Sequence, residues 1–436
     1  MVLIDQFLSV LNHKGLKRYS ANMSWMFAER FLRLLGGLLV GAWLTRYLGP
    51  ERFGTFSYVI AYVALFMPLA KLGLDEIVVH DLVSDPAKSR QFLGTAFWIK
   101  LFAGITLLIG IPLTAFISNN DSKINVYIFI VACGVLFQPF DVIDFYFQSR
   151  VSSKFVSLAR SLQIVLSSFI KIGLILCHAD LFWFVISTLL EQLTFVIALM
   201  AAYKKQDLQW FFNSFDTRIF KQWVKRSWPL IFSGLAIMAY MKIDQIMIKE
   251  LLGTEELGIY SAALKLSEFW YFIPLIITSS VFPAIVNAKI TDEKIYHLRL
   301  QRLYTFLFWT AIFIAVGTTF LSDWLINTLY GSAYQASAQV LRIKIWDGVF
   351  VFLGVASYRW FISQNLERLF LISTLFAVIA NISLNLWLIP KYGIVGAAFA
   401  GLIAQFFSAY LSNYFFAQTR DNFYRLSRAP FLSGIL

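Results

Sequence analysis

Ionisable residues stand deep inside apolar runs of this chain, and their types and spacing define the chemistry open to it. Glu29 and Arg33 are spaced i, i+4 with the acid first, the favourable order for a helical pair. Lys265 and Glu268 are spaced i, i+3, and Lys242 has no opposite charge at i±3 or i±4. At 1.5 Å per helical residue, Arg33, Glu191, Lys242 and Glu268 each lie about 15 Å from the nearer end of their apolar run. Such a charge cannot face hydrocarbon cheaply, so it faces a partner charge or a polar pathway. Either each pair neutralises itself and fastens its helix, or the cations line a cleft. Arg30 sits about 60° round the helix from Arg33 and can share its face. Lys100 and Lys171 lie nearer the ends of their runs, and Arg342, Lys344 and Arg359 nearer still, where a long side chain snorkels to the interface. Glu191, Asp244 and Glu268 are carboxylates placed for perturbed protonation, a common basis of ion coupling.

Other chemistries are poorly served. Asp141 and Asp144 form one D-x-x-D, whereas membrane prenyltransferases use two such boxes to hold magnesium and a diphosphate. A gating or helix-capping role suits this pair better. His13, His80, His178 and His297 are scattered, without metal-ligand spacing. Neither a G-x-S-x-G elbow nor a Walker loop is present, so no cofactor is expected and ATP does not power the chain directly.

The elements that must position these charges are apolar helices. Of the 436 residues, 59% are hydrophobic and 14% charged, and mean hydropathy is +0.69, which excludes a cytosolic globular enzyme and a disordered chain. Two cysteines in apolar runs exclude a disulfide scaffold and a zinc ribbon. Runs long enough for a ~30 Å hydrocarbon core read as twelve spans: 22–45, 54–74, 93–117, 124–147, 158–176, 181–202, 228–252, 257–281, 303–320, 340–363, 369–389 and 394–416. Residues 1–20 lack the pattern of a signal peptide and read as a short surface helix. The net charge of +12 gathers on alternate loops, above all at Lys204, Lys205, Arg218, Lys221, Lys225 and Arg226. The positive-inside rule then puts both termini in the cytoplasm and assigns the charge to topology and anionic lipid, not nucleic acid. The aromatics are mostly lipid-facing bulk and interfacial belt.

The two halves resemble each other. Residues 48–57 and 252–261 share L-G-x-E-x-x-G-x-[FY]-S at an offset of 204, each copy following the first span of its half. Six spans separate the copies, so the repeat is parallel and its axis runs along the membrane normal. The expected fold is an all-α membrane protein with twelve transmembrane helices in two pseudo-symmetric six-helix lobes around a central cleft. The lobes are 1–202 and 228–436, joined by a basic cytoplasmic linker, 203–227.

Six segments carry a family resemblance: Arg46-Tyr-Leu-Gly-Pro-Glu-Arg-Phe-Gly54, Lys71-Leu-Gly-Leu-Asp75, Gln138-Pro-Phe-Asp-Val-Ile-Asp-Phe-Tyr-Phe-Gln148, Ile243-Asp-Gln-Ile-Met247, residues 253–261 and Pro390-Lys-Tyr-Gly-Ile-Val-Gly-Ala-Ala398. In order and spacing the sequence resembles the Wzx-type O-antigen flippases, in the polysaccharide-transport branch of the multidrug/oligosaccharidyl-lipid/polysaccharide exporter superfamily. The resemblance implies a non-enzymatic flippase of the bacterial inner membrane. Its substrate would be an undecaprenyl-pyrophosphate-linked oligosaccharide, moved by alternating access. The cleft cations Arg30, Arg33, Lys100, Lys242 and Lys265 would then meet the pyrophosphate, with Glu29, Glu191, Asp244 and Glu268 as coupling or gating carboxylates. Implied partners are membrane lipids, a polysaccharide polymerase and chain-length proteins. The rival readings are a drug antiporter of the same superfamily and a membrane glycan polymerase or prenyltransferase. The cations disfavour a cationic drug, and a polymerase is expected to carry a large periplasmic loop. Reporter fusions at Lys225 and Ser118 are expected to read opposite sides, with Lys225 inside; the same side for both would end the twelve-span topology.

Overall fold

The computed structural model describes residues 14–118, 120–206 and 209–431. These are almost wholly helical, with no strand among the described residues. The surface helix expected over 1–20 falls mostly outside them. Nine helical stretches of the described residues are long and apolar enough to cross a membrane. Their outward faces carry bare hydrocarbon: Phe313 and Phe320 are more than 80% exposed, whereas the Lys100 side chain is fully buried. Such an inverted surface is stable only against lipid. The chain is an all-α integral membrane protein.

Several elements depart from uniform spans, for local reasons. The expected helix 124–147 is three pieces: α-helix Ser122–Cys133, a 3-10 segment Gly134–Phe140 containing Pro139, and α-helix Asp141–Ser149. Proline lacks the N–H that an α-helical ladder needs, and the tighter winding accommodates it. The expected span 340–363 is also interrupted. Helix Ser337–Lys344 passes into helix Asp347–Ser363 through backbone bonded i to i−3, as from Trp346 to Ile343 and from Gly348 to Ile345. The stretch Lys14–Lys71 turns at Gly49, and Glu367–Phe406 turns at Gly393.

The chain divides into two compact units. The first is Met1–Leu44 with Tyr62–Leu235, and the second is Thr45–Ala61 with Ala236–Leu436. The core of the first gathers Leu74, Phe92, Phe97, Val142, Phe147 and Leu199. The basic 203–227 segment is built into it: Phe211 and Trp223 are fully buried, Trp223 donates its indole N–H to Asp81, and Arg90 donates to the Trp210 carbonyl. The core of the second gathers Tyr296, Tyr304, Leu307, Phe352, Trp360 and Phe361.

The short segment Thr45–Ala61 is held in the second unit by its own bonds. Tyr334 donates to the Thr45 carbonyl, Tyr58 donates to Glu250, and the Lys265 ammonium lies 4.3 Å from the centre of the Phe53 ring. There the two repeat copies meet. Gly49 (φ 71°, ψ 170°) and Gly253 (φ 99°, ψ 178°) take the same left-handed-side backbone at the same repeat position. Five residues on, the copies cross at their second glycines. A Cβ on Gly54 would overlap the Thr254 carbonyl, and one on Gly258 would overlap the Pro50 carbonyl. Thr254 and Pro50 are themselves equivalent positions of the repeat, so the contact is reciprocal. Small residues permit this backbone approach, as they do between helices in lipid generally.

Gly54→Ala and Gly258→Ala should each lower the thermal stability of the detergent-purified protein by about 1–3 kcal/mol, the usual cost of overpacking. Gly37→Ala, whose methyl would meet no atom within 4 Å, should not. Equal melting temperatures for all three variants and the parent would refute the close crossing.

Candidate functional site

The second unit contains a cavity of about 500 Å³ in which ionisable groups from four elements converge. Asp244 comes from helix Thr217–Leu252, Glu268 from helix Thr254–Glu268, and Lys344 and Asp347 from either side of the interrupted span. The wall from Glu367–Phe406 offers Gln405 and Gly401. Asp244, Lys344 and Asp347 each have 6% exposure or less.

Lys344 is the hub. Its ammonium donates to Asp347 Oδ2 at 2.7 Å and stands 4.0 Å from Asp244 Oδ2. Asp244 is otherwise satisfied, since Oδ2 accepts the Tyr260 hydroxyl and Oδ1 accepts the Gln245 amide N–H. Asp347 Oδ1, by contrast, is buried with no hydrogen-bond partner. Local structure makes the Lys344–Asp347 bond. They are spaced i, i+3, and i−3 bonding between them winds the backbone tighter, so that side chains three apart come into line. Lys344 closes one helix and Asp347 opens the next, the helix ends that favour a cation and an anion respectively. Opposite them, a Cβ on Gly401 would overlap the Lys344 ammonium, so a residue without a side chain makes room for the charge. Tyr240, also on the cavity wall, donates its hydroxyl to Gln405.

The expectation that Lys344 snorkels is therefore wrong. Depth reckoned from the edges of the apolar run placed it near a span end, but Asp347, Asp244 and Gly401 hold its ammonium inside the protein. The K-x-x-D spacing was the signal that could have shown this. Asp347 lies inside the expected span 340–363, three residues after Lys344, so the same spacing marks it.

The other expected residues are placed as follows. Asp244 and Glu268 share the cavity, and Glu268 lies within electrostatic range of Lys242 and Lys265. Lys242 is half-buried, and Lys265 is exposed over the Phe53 ring. In the first unit, Arg33 pairs with the buried Glu29, and Arg30 is exposed. Lys100 and Lys171 do not snorkel: Lys100 donates to Asp75 Oδ1 at 3.0 Å under the Phe145 ring, and Lys171 donates to Glu191 Oε2 at 2.9 Å, where Ser167 also donates. Asp144 accepts from Arg160 and Gln148, both at 2.9 Å. Each of these pairs closes on itself within its helices. Among the described residues, no group of three or more His, Cys, Asp and Glu stands close enough to hold a metal ion.

Comparison with known proteins shows the family and the fold of the chain. Residues 43–339, more than half the chain, match the family described as polysaccharide biosynthesis protein. The chain belongs to that family. Relatives include the capsular polysaccharide biosynthesis protein CapF of Staphylococcus aureus, 22% identical over 91% of this chain and 98% of CapF. Another is the probable flippase AglR of Haloferax volcanii, 28% identical over 42% of this chain. The match spans only 38% of AglR. In fold, the chain is similar to the lipid II flippase MurJ in an inward closed conformation, with TM-score 0.74 and 15% identity over 95% of this chain and 90% of MurJ. It is also similar to an inward-facing multidrug-resistance MATE family transporter, with TM-score 0.71 and 14% identity over 91% and 96%.

Removing one partner of a buried ion pair strands the other. Lys344→Met should therefore cost about 3–5 kcal/mol of stability, and the double variant Lys344→Met/Asp347→Leu should recover part of the loss. Thermal unfolding of the four proteins of this double-mutant cycle checks this; additive losses would mean that the two side chains are not coupled.

Proposed function

We propose that this chain is a flippase that carries an undecaprenyl-pyrophosphate-linked oligosaccharide across the bacterial inner membrane, for O-antigen or a related surface polysaccharide. What carries the reading is that a member of a polysaccharide biosynthesis family has the fold of a lipid-linked-glycan flippase. We place both termini in the cytoplasm, in line with the basic loops. We also retain twelve crossings in two pseudo-symmetric lobes. In support, the stretches Ala28–Ser84 and Arg368–Phe415 are each long enough to cross twice, and the interrupted span 337–363 supplies a further crossing. The reciprocal contact of the repeat copies supports the duplication.

A diphosphate crosses the membrane centre only if fixed cations replace the water that it loses. Arg33, Lys242 and Lys265 are our headgroup contacts, with Arg30 beside Arg33. Lys100 joins them only by releasing Asp75. Arg suits fork-like phosphate contacts, and Lys acts as a point charge. The cycle draws on an ion gradient, and its coupling carboxylates are Asp244 and Glu268, which share a cavity with Lys344. Glu29 positions Arg33 for the headgroup and Glu191 holds the structural cation Lys171, so these two carboxylates gate rather than couple. Membrane lipids, a polymerase and chain-length proteins are the partners of this reading. The MATE-like fold favours one second reading, a small-molecule antiporter, against which the excess of intramembrane cations argues.

Deletion of the gene should leave lipid-linked repeat units on the cytoplasmic face and abolish surface glycan. Arg33→Ala and Lys242→Ala should each abolish surface glycan at normal membrane levels of the protein, with Lys242→Arg partly active. Normal export by both alanine variants would sink the cationic pathway, and unchanged glycan in the deletion strain would sink the substrate class.

A further inference from the structure

In the second unit's cavity two carboxylates share one ammonium. Asp244 and Asp347 share the ammonium of Lys344, whereas Glu268 on the same wall lies within electrostatic range of Lys242, Lys344 and Lys265, and Arg359 also lines the cavity. Two carboxylates facing one point attract a cation, and hard cations take oxygen ligands. Here the converging point already holds a covalently attached cation. The oxygen nearest the ammonium belongs to Asp347, whose other oxygen is buried without a partner, and Asp244 lies within a small swing of the lysine arm. Gly401 keeps that volume open.

We propose that Lys344 is the resident cation of this site: it stands where a free coupling ion would sit, and it restricts the site to protons. Protonation at Asp347 frees the ammonium to move toward Asp244, and deprotonation draws it back. No metal ion need enter, because the ammonium already occupies the position. The other titratable and charged groups facing this chemistry are Tyr240 from the Asp244 helix, Tyr260 and Glu268 from the next helix, Tyr271 beyond it, and Tyr358 and Arg359 from the Asp347 helix. Lys242 and Lys265 act on Glu268 from outside the cavity. None of these places a second cation between Asp244 and Asp347, so the specificity rests on Lys344.

The proposal extends the gradient-driven reading above by naming the ion and by adding Asp347 to the carboxylates that carry it, and it is tested without transport. The full chain, purified in detergent, is melted in sodium chloride and in choline chloride at equal ionic strength and at several pH values. The unaltered protein should melt at the same temperature in both salts while its melting point changes with pH. Lys344→Ala should melt lower in choline and rise in sodium chloride by about 2 °C or more, saturably, as binding to the folded state alone requires. Asp347→Asn in that background should remove the rise. Saturable stabilisation of the unaltered protein by sodium would overturn the proposal, as would identical melting of Lys344→Ala in both salts. If Lys344→Ala cannot be purified, Lys344→Ser takes its place, and sodium insensitivity of the unaltered protein remains a decisive arm. Loss of surface glycan in the deletion strain bears on the substrate, not on these melts, so the two readings fail separately.

Discussion

Hydrocarbon offers no hydrogen bonds, so every charge and every backbone polar group at membrane depth must find its partner inside the protein. This constraint organises the whole chain. Helices satisfy their own backbones, and their outward faces carry phenylalanines such as Phe102 and Phe320 against lipid. Polar function is left to the interior, where each ionisable side chain has to be answered by another.

The two units answer it differently. In the first, Lys100 meets Asp75, Arg160 meets Asp144, and Lys171 meets Glu191 with Ser167, so these charges are each closed by a neighbour. Pairs of this kind hold helices together and fix their register, and breaking one is costly because a lone charge remains. In the second, Lys344 is shared between Asp347 and Asp244 with Glu268 on the same cavity wall. An odd cluster with an unpartnered carboxylate oxygen has more than one reasonable arrangement, which is what a moving part needs. The irregular helices serve this. Tight winding at residues 345–346 aligns Lys344 with Asp347, and the 3-10 segment around Pro139 lets Asp141 and Asp144 begin a new helix.

The duplicated motif shows how one sequence signal does two jobs. Its first glycine supplies a backbone turn that residues with a Cβ rarely adopt, and its second lets two helices touch backbone to backbone. Because the copies touch each other, each glycine is constrained by the other copy as well as by its own. The same contact carries residues 45–61 into the second unit, although the chain on both sides of them belongs to the first.

Composition, apolar run length and the placement of charges determined that this is an all-helical membrane protein, and the repeated motif marked where its halves correspond. Those properties are local: 1.5 Å per residue and a ~30 Å hydrocarbon core are enough to read them from the chain. The Glu29–Arg33 pair was legible for the same reason, being four residues apart on one helix. Partners distant in sequence were not. Lys100 with Asp75, Lys171 with Glu191 and Lys344 with Asp244 depend on which helix faces show one another, a choice made by packing across many side chains at once. Span edges misplaced Lys344 because depth along one helix says nothing of what walls it, and only the folded chain brings Gly401 and Asp244 to its ammonium.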